Sequence, residues 1–197
     1  MLSALPETSM RGWRFRIESC TPNALREPNH SSSNMIDQEK FERFAPLAYQ
    51  WAKKQEAYIL KHGAPLAPRQ IADARRSGVQ DPPRVRVLVV DRIPLPDDAE
   101  LAEAARRAQI ITDASRGVAI GHGIIIRADS WQNRELLIHQ LVHVAQCERS
   151  GGLESFVGEY LCDRRTCADF SVGSLEDEAR GLAREICATD KVAKQPA

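Results

Sequence analysis

The sequence predicts an α+β domain, a small sheet accompanied by several helices, on three observations. Only two stretches read as strands, RVRVLVV at residues 84–90 and GVAIGHGIIIR at 117–127. Helical periodicity fills most of the rest, and a few strands followed by a run of helices is the pattern of an α+β fold. The 197 residues suffice for one domain with its own core and are few for two.

Residues 1–34, including TPNALREPNHSSSN, are rich in Ser, Pro and Asn without a sustained period, and read as a disordered leader. Met35 opens a more protein-like segment and is an alternative start. The domain is expected to span residues 35–190, with 191–197 as a flexible tail. From Gln38 to His62, residues Phe41, Phe44, Leu47, Trp51 and Tyr58 recur at near-helical spacing, and Gly63 supplies a stop. Pro46 predicts a short helix before it and a longer one from it. Residues 68–78 suggest a further short helix. The β-branched run at 84–90 lies between prolines, and Asp97 or Asp98 then caps a helix in ELAEAARRAQI. Gly121 and Gly123 mark a turn or bulge in the second strand region. Helices are expected at about 130–148, 153–165 and 174–187.

Charge and composition exclude several classes. Twenty-seven basic residues balance 27 acidic ones, so no excess of Lys and Arg is available for coating nucleic acid or an anionic membrane. No apolar run approaches the ~20 residues that span a bilayer, and MLSALPETSM lacks the basic and apolar regions of a secretory signal. A cytoplasmic protein is expected. Five cysteines without a CxxC pair fit free thiols, although Cys162 and Cys167 bracket DRRT and form a candidate redox pair.

The chemistry is concentrated in RELLIHQLVHVAQCERSGG, residues 134–152. On a helix His139 and His143 stand one turn apart on one face, and two imidazoles so placed can converge on one tetrahedral metal. Leu136, Leu137, Ile138, Leu141, Val142, Val144 and Ala145 clothe most of the same helix, which predicts burial. His139, Gln140, His143 and Gln146 then form a polar stripe that needs partners, because a buried polar group without one costs about 1–3 kcal/mol.

HQLVHVAQCERSGGLESFVGEYL followed by SLEDEARGLARE resembles the gluzincin-type zincin metallopeptidases, and more narrowly compact bacterial zincin-like proteins, over about residues 84–187. The resemblance implies a zincin-like domain with a small, mainly antiparallel sheet, one zinc ion, and a peptide or protein as substrate. It makes His139 and His143 zinc ligands. The third ligand is a glutamate of the next-but-one helix, where Ser174 and Asp177 suggest an N-terminal capping box. Periodicity does not choose between Glu176 and Glu178; the family spacing before Ala179 favours Glu176. Arg180 stands where related zincins carry an aspartate that orients a histidine ligand, so that carboxylate is sought at Glu148 or Glu185.

Gln140 occupies the place of the family's general base. An amide can hold a water but cannot take its proton, so this chain is expected to bind zinc and hydrolyse peptides poorly. Two readings stay open: a metallopeptidase whose base has been exchanged, by design or by natural loss, and a pseudoenzyme acting as a zinc-stabilised interaction module. Family likeness also places an edge strand along the cleft, for which Gly123, Ile124 and Ile125 are the candidates, and offers His122 or Tyr160 as oxyanion stabiliser. Cys147, one turn beyond His143, is read as a packing residue.

Overall fold

A computed structural model describes residues 38–166 and 174–192. The predicted leader, residues 193–197 of the predicted tail, and Cys20 and Cys167 lie outside them. In order, the described chain forms α1 (Gln38–His62), β1 (Ala64–Pro65), α2 (Pro68–Arg76), β2 (Arg86–Val90), α3 (Ala99–Arg107), β3 (Gly117–Ile120), β4 (Gly123–Arg127), α4 (Arg134–Arg149), α5 (Leu153–Thr166) and α6 (Ser174–Val192). Single 3-10 turns at Pro82–Arg84 and Ala128–Ser130 precede β2 and α4. The α+β class read from the sequence is what the chain adopts. No described helix is long and apolar enough to cross a membrane.

Helix α1 runs unbroken through Pro46, where the sequence predicted a break. A proline inside a helix removes a hydrogen bond and crowds the preceding turn. Packing on both sides of it holds this helix together: Phe41 and Ala45 are buried against Val157 and Leu161 of α5, while Ala52 and Ile59 are buried against the sheet. Tertiary burial overrides the local preference. The Asp98 carboxylate caps α3 by accepting from the Leu101 amide, one of the two predicted caps.

The sheet is mixed, in the order β1-β2-β4-β3. Two pairings, β1 with β2 and β3 with β4, are antiparallel, while the central pair β2 and β4 is parallel. Strand β4 is therefore interior, and the predicted edge role of Gly123, Ile124 and Ile125 is corrected. Consecutive isoleucines at 124–126 are what a strand covered on both faces requires. Ile124 and Ile126 join Val87, Leu137, Leu141 and Val144 on the face covered by α2 and α4, and Ile125 joins Ala52, Ile59 and Ile120 on the face covered by α1. Gly123 lets α1 approach the sheet closely, since a β-carbon there would lie 2.9 Å from Ile59 Cβ. Gly121, at φ +60°, makes the β3–β4 turn and leaves room for the Glu56 carboxylate. The edge strand of the hairpin is β3.

Helix α6 packs along α4 through Ile138, Ala183 and Ile186. A charged network fastens the far ends: Arg134 donates to both oxygens of Asp73, at 2.9 and 2.6 Å, and to Asp190 at 2.6 Å, while Arg76 donates to Asp190 at 2.8 Å. Three helices, α2, α4 and α6, are thereby held at one point. The N-terminus of α6 is served by Asp163 of α5, whose carboxylate accepts from the Ser174 hydroxyl at 2.7 Å and from the Ser174 and Leu175 amides. The Ser174 hydroxyl is thus spent on Asp163, and Asp177 pairs instead with Arg180 at 3.7 Å.

Candidate metal centre

Helix α4 starts where Asn133 accepts a hydrogen bond from the Leu136 amide, with Glu135 in its first turn and Arg149 in its last, each matching the helix dipole. Both faces of α4 are then covered, by the sheet and by α6, so its polar stripe must be satisfied from within. The neighbouring helix does this. His139 and His143 meet Glu176 of α6, and these three are the group among the described residues that could hold a metal ion.

The distances are informative. His143 Nε2 lies 3.1 Å from His139 Nε2 and 3.3 Å from Glu176 Oε1, and His139 Nε2 lies 3.4 Å from Glu176 Oε2. A tetrahedral zinc bound at about 2.0–2.1 Å separates its ligand atoms by about 3.3 Å, the edge of the tetrahedron. The two nitrogens stand near that edge, and the Glu176 carboxylate straddles them, with Oε1 facing His143 and Oε2 facing His139. The imidazole planes are nearly perpendicular, at 86°, with centroids 4.7 Å apart, so the two rings meet edge to face without stacking. Two imidazoles and one carboxylate with side chains 7–17% exposed are a donor set that suits zinc.

Tyr160 of α5 completes the ring of contacts, donating its hydroxyl to Glu176 Oε1 at 2.6 Å and meeting the His143 ring edge-on. Burial and the adjacent Glu176 carboxylate push the Tyr160 phenol well above its ordinary range, so it stays a donor. Burial opposes ionisation of Glu176, but the adjacent His139 and His143 rings and the Tyr160 hydroxyl together hold its carboxyl well below the usual range. Glu178 is not in the cluster. It accepts from Arg149 at 2.8 Å and from Gln146 at 2.9 Å, so Glu176 is the residue brought to the histidines.

The other expectations fare differently. His122 is bound elsewhere, with Nε2 3.0 Å from Glu148 Oε1 and its amide donating to Glu56 at 3.0 Å, and it does not line the cleft. Glu148 is thereby engaged and also accepts from the Gln80 and Asp81 amides, so it is not the carboxylate that orients a ligand. The partner of the His143 ring is an amide: Gln146 Oε1 lies 2.7 Å from Nδ1. Gln146 stood in the polar stripe of the sequence, three residues from His143, and that helical spacing was the available signal. Cys147 is a buried free thiol, pushed up to about 12 by burial first and by Glu56 and Glu148 second, consistent with packing. Cys187 is also free, whereas Cys162 is disulfide-bonded, which corrects the free-thiol expectation there.

A cleft of about 400 Å³ opens beside His139, His143 and Glu176. It is walled by Trp51 of α1, Ile111, Val118 of β3, Phe156 of α5 and Arg180 of α6, and Gln140 lies on its floor, 4% exposed. A volume of that order accepts a small molecule or a few side chains. Gln140 packs against the edge strand, since a β-carbon on Gly117 would lie 3.4 Å from its Cγ and Nε2. The sequence did not single out Trp51, Ile111 and Phe156 as cleft residues, because apolar cleft walls are indistinguishable there from core. No protein-family model, curated protein or solved structure matches the chain.

Proposed function

We propose that the chain carries a zinc-dependent, peptidase-type hydrolytic centre of the gluzincin kind in which Gln140 replaces the general base, leaving a protein that binds zinc and peptide and turns over poorly. The observation that carries this reading is the convergence of two imidazole nitrogens, 3.1 Å apart, on the Glu176 carboxylate, whose two oxygens lie 3.3 and 3.4 Å from them. His139, His143 and Glu176 would hold the ion. Zinc bound there would supply Lewis acidity toward a peptide carbonyl and an attacking water.

The remaining work falls to the chain. Among the described residues strand β3 pairs with β4 on one side only, and its other side is the one an extended peptide would join by strand addition. Trp51, Val118 and Phe156 favour an apolar side chain beside the centre. Gln140 can orient a water through its amide but has no lone pair basic enough to take the proton. Tyr160 lines the cleft as a protonated phenol, and it could serve a developing oxyanion only by leaving Glu176. The disulfide of Cys162 removes the support that free thiols gave to a cytoplasmic setting.

Gln140 itself favours a second reading, a zinc-stabilised interaction module without catalysis. One variant decides between the two. In the zinc-loaded protein Gln140→Glu should raise cleavage of a quenched-fluorescence peptide library by about 10²- to 10⁴-fold, with loss of the gain on chelation. A zinc-loaded Gln140→Glu protein that cleaves nothing rejects the enzyme and leaves the module.

A further inference from the structure

We infer that Gln146 is the positioning residue of this centre: its side-chain amide fixes His143 in the tautomer that presents Nε2 to His139 and Glu176, and only an amide can do so. The geometry is independent of any metal, while the consequence for zinc affinity rests on the reading proposed above.

The orientation of the amide follows from its partners. One end of the Gln146 side chain lies 2.9 Å from the Leu175 carbonyl oxygen and 2.9 Å from Glu178 Oε2. Both are acceptors, so that end must be the NH2 group, with each hydrogen committed. The other end, 2.7 Å from His143 Nδ1, is then the oxygen, which can only accept. Nδ1 therefore carries the proton, and a neutral His143 leaves the Nε2 lone pair bare. Turning the amide over would set its oxygen against two acceptors in a place where Gln146 is 1% exposed and water cannot compensate.

The chain of bonds continues outward. Glu178 is held by Arg149, which donates to both of its oxygens at 2.8 Å. The order Arg149 to Glu178 to Gln146 to His143 thus runs from the surface to the centre with donors and acceptors alternating correctly at every step. Leu175 is the residue before Glu176, so the same amide ties the start of α6, which brings the third ligand, to the helix that brings the first two. A carboxylate at position 146, the usual partner of a metal-bound imidazole, would satisfy His143 and at the same time face the Glu178 carboxylate and the Leu175 carbonyl without a hydrogen to give either.

The test uses the full chain and three variants: Gln146→Met, Gln146→Glu, and Gln146→Glu combined with Glu178→Gln, which exchanges the amide and the carboxylate at constant net charge. Three quantities are measured: zinc affinity by chelator competition, melting temperature of the zinc-free protein, and the His143 tautomer in the zinc-free protein by long-range nitrogen–proton correlation. The parent should show His143 protonated at Nδ1. Each single variant should weaken zinc binding by about 10- to 100-fold. The double variant should recover most of that loss, because the amide moved to position 178 can again donate toward position 146; a residue that served packing alone would not give this recovery. A parent protonated at Nε2, or a double variant no better than Gln146→Glu, overturns the inference. Single variants that bind zinc like the parent overturn the positioning role alone, whereas a parent that binds no zinc overturns the metal reading together with it.

Discussion

Substituting alanine at two glycines of one hairpin separates the interior strand from the strand that borders the cleft. At Gly123 the new β-carbon would lie 2.9 Å from both Cβ and Cδ1 of Ile59 and 3.0 Å from its Cγ2. Ile59 is fully buried, so it cannot swing away without moving α1 off the sheet. Overpacking of this kind costs about 1–3 kcal/mol, against which the reduced freedom of an unfolded alanine offsets about 0.4–1 kcal/mol. Gly123→Ala should therefore lose about 1–2 kcal/mol, which for a chain of this size lowers the melting temperature by about 2–8 °C. At Gly117 the nearest atoms would be Gln140 Cγ and Nε2 and Leu136 Cδ1, all at 3.4 Å, an ordinary contact. Gly117→Ala should hold its melting temperature within about 2 °C and instead weaken binding of an extended apolar peptide, because the methyl group leans on Gln140. Thermal unfolding by circular dichroism and peptide titration by fluorescence anisotropy give the two readouts. A Gly123→Ala protein of unchanged stability with weakened peptide binding would refute the strand order on which the cleft is built.

Two further perturbations reach parts of the molecule away from the cleft. Asp73 is 3% exposed and takes two hydrogen bonds from Arg134, so Asp73→Ala leaves that guanidinium without its main partner; chemical denaturation should show a loss of about 3–5 kcal/mol, and a loss below about 1 kcal/mol would mean the network contributes little. His122 is raised above its ordinary value of 6.5 chiefly by hydrogen bonding to Glu56, against its own burial and with further help from Glu148, while Arg84 opposes it. Its contribution to stability is then complete below about pH 6.5 and is lost as pH rises through its folded-state value. The parent should lose stability across that window and His122→Gln should not; equal slopes in the two proteins would remove the cluster as the cause.

Much of the centre was legible because helical spacing is local. His139, His143 and the run of apolar residues around them specify a buried helix with a polar stripe, and the stripe demands partners from another element. Glu176 came from the resemblance; periodicity alone left Glu178 equally eligible, and the positions of Arg149 and Gln146 on the neighbouring helix take Glu178 out of the cluster. The strand order was not legible. GIIIR reads the same in the middle of a sheet as at a covered edge, and β1, which sets β2 inside the sheet, is two residues long and includes a proline. His122 illustrates the same limit, since its partners Glu56 and Glu148 are 66 and 26 residues away and no pattern connects them. Pro46 fails for the opposite reason: its local signal is strong, and the burial of Phe41, Ala45, Ala52 and Ile59 on either side outweighs it.

A zinc site made by His139, His143 and Glu176 is tested most directly by metal content. Plasma mass spectrometry of the purified chain, before and after mild chelation and resupply, should find about one zinc per chain that is restored on resupply and absent from His139→Ala and Glu176→Ala. A folded parent protein with no zinc above background after resupply would contradict the account, and with it the proposed hydrolytic centre.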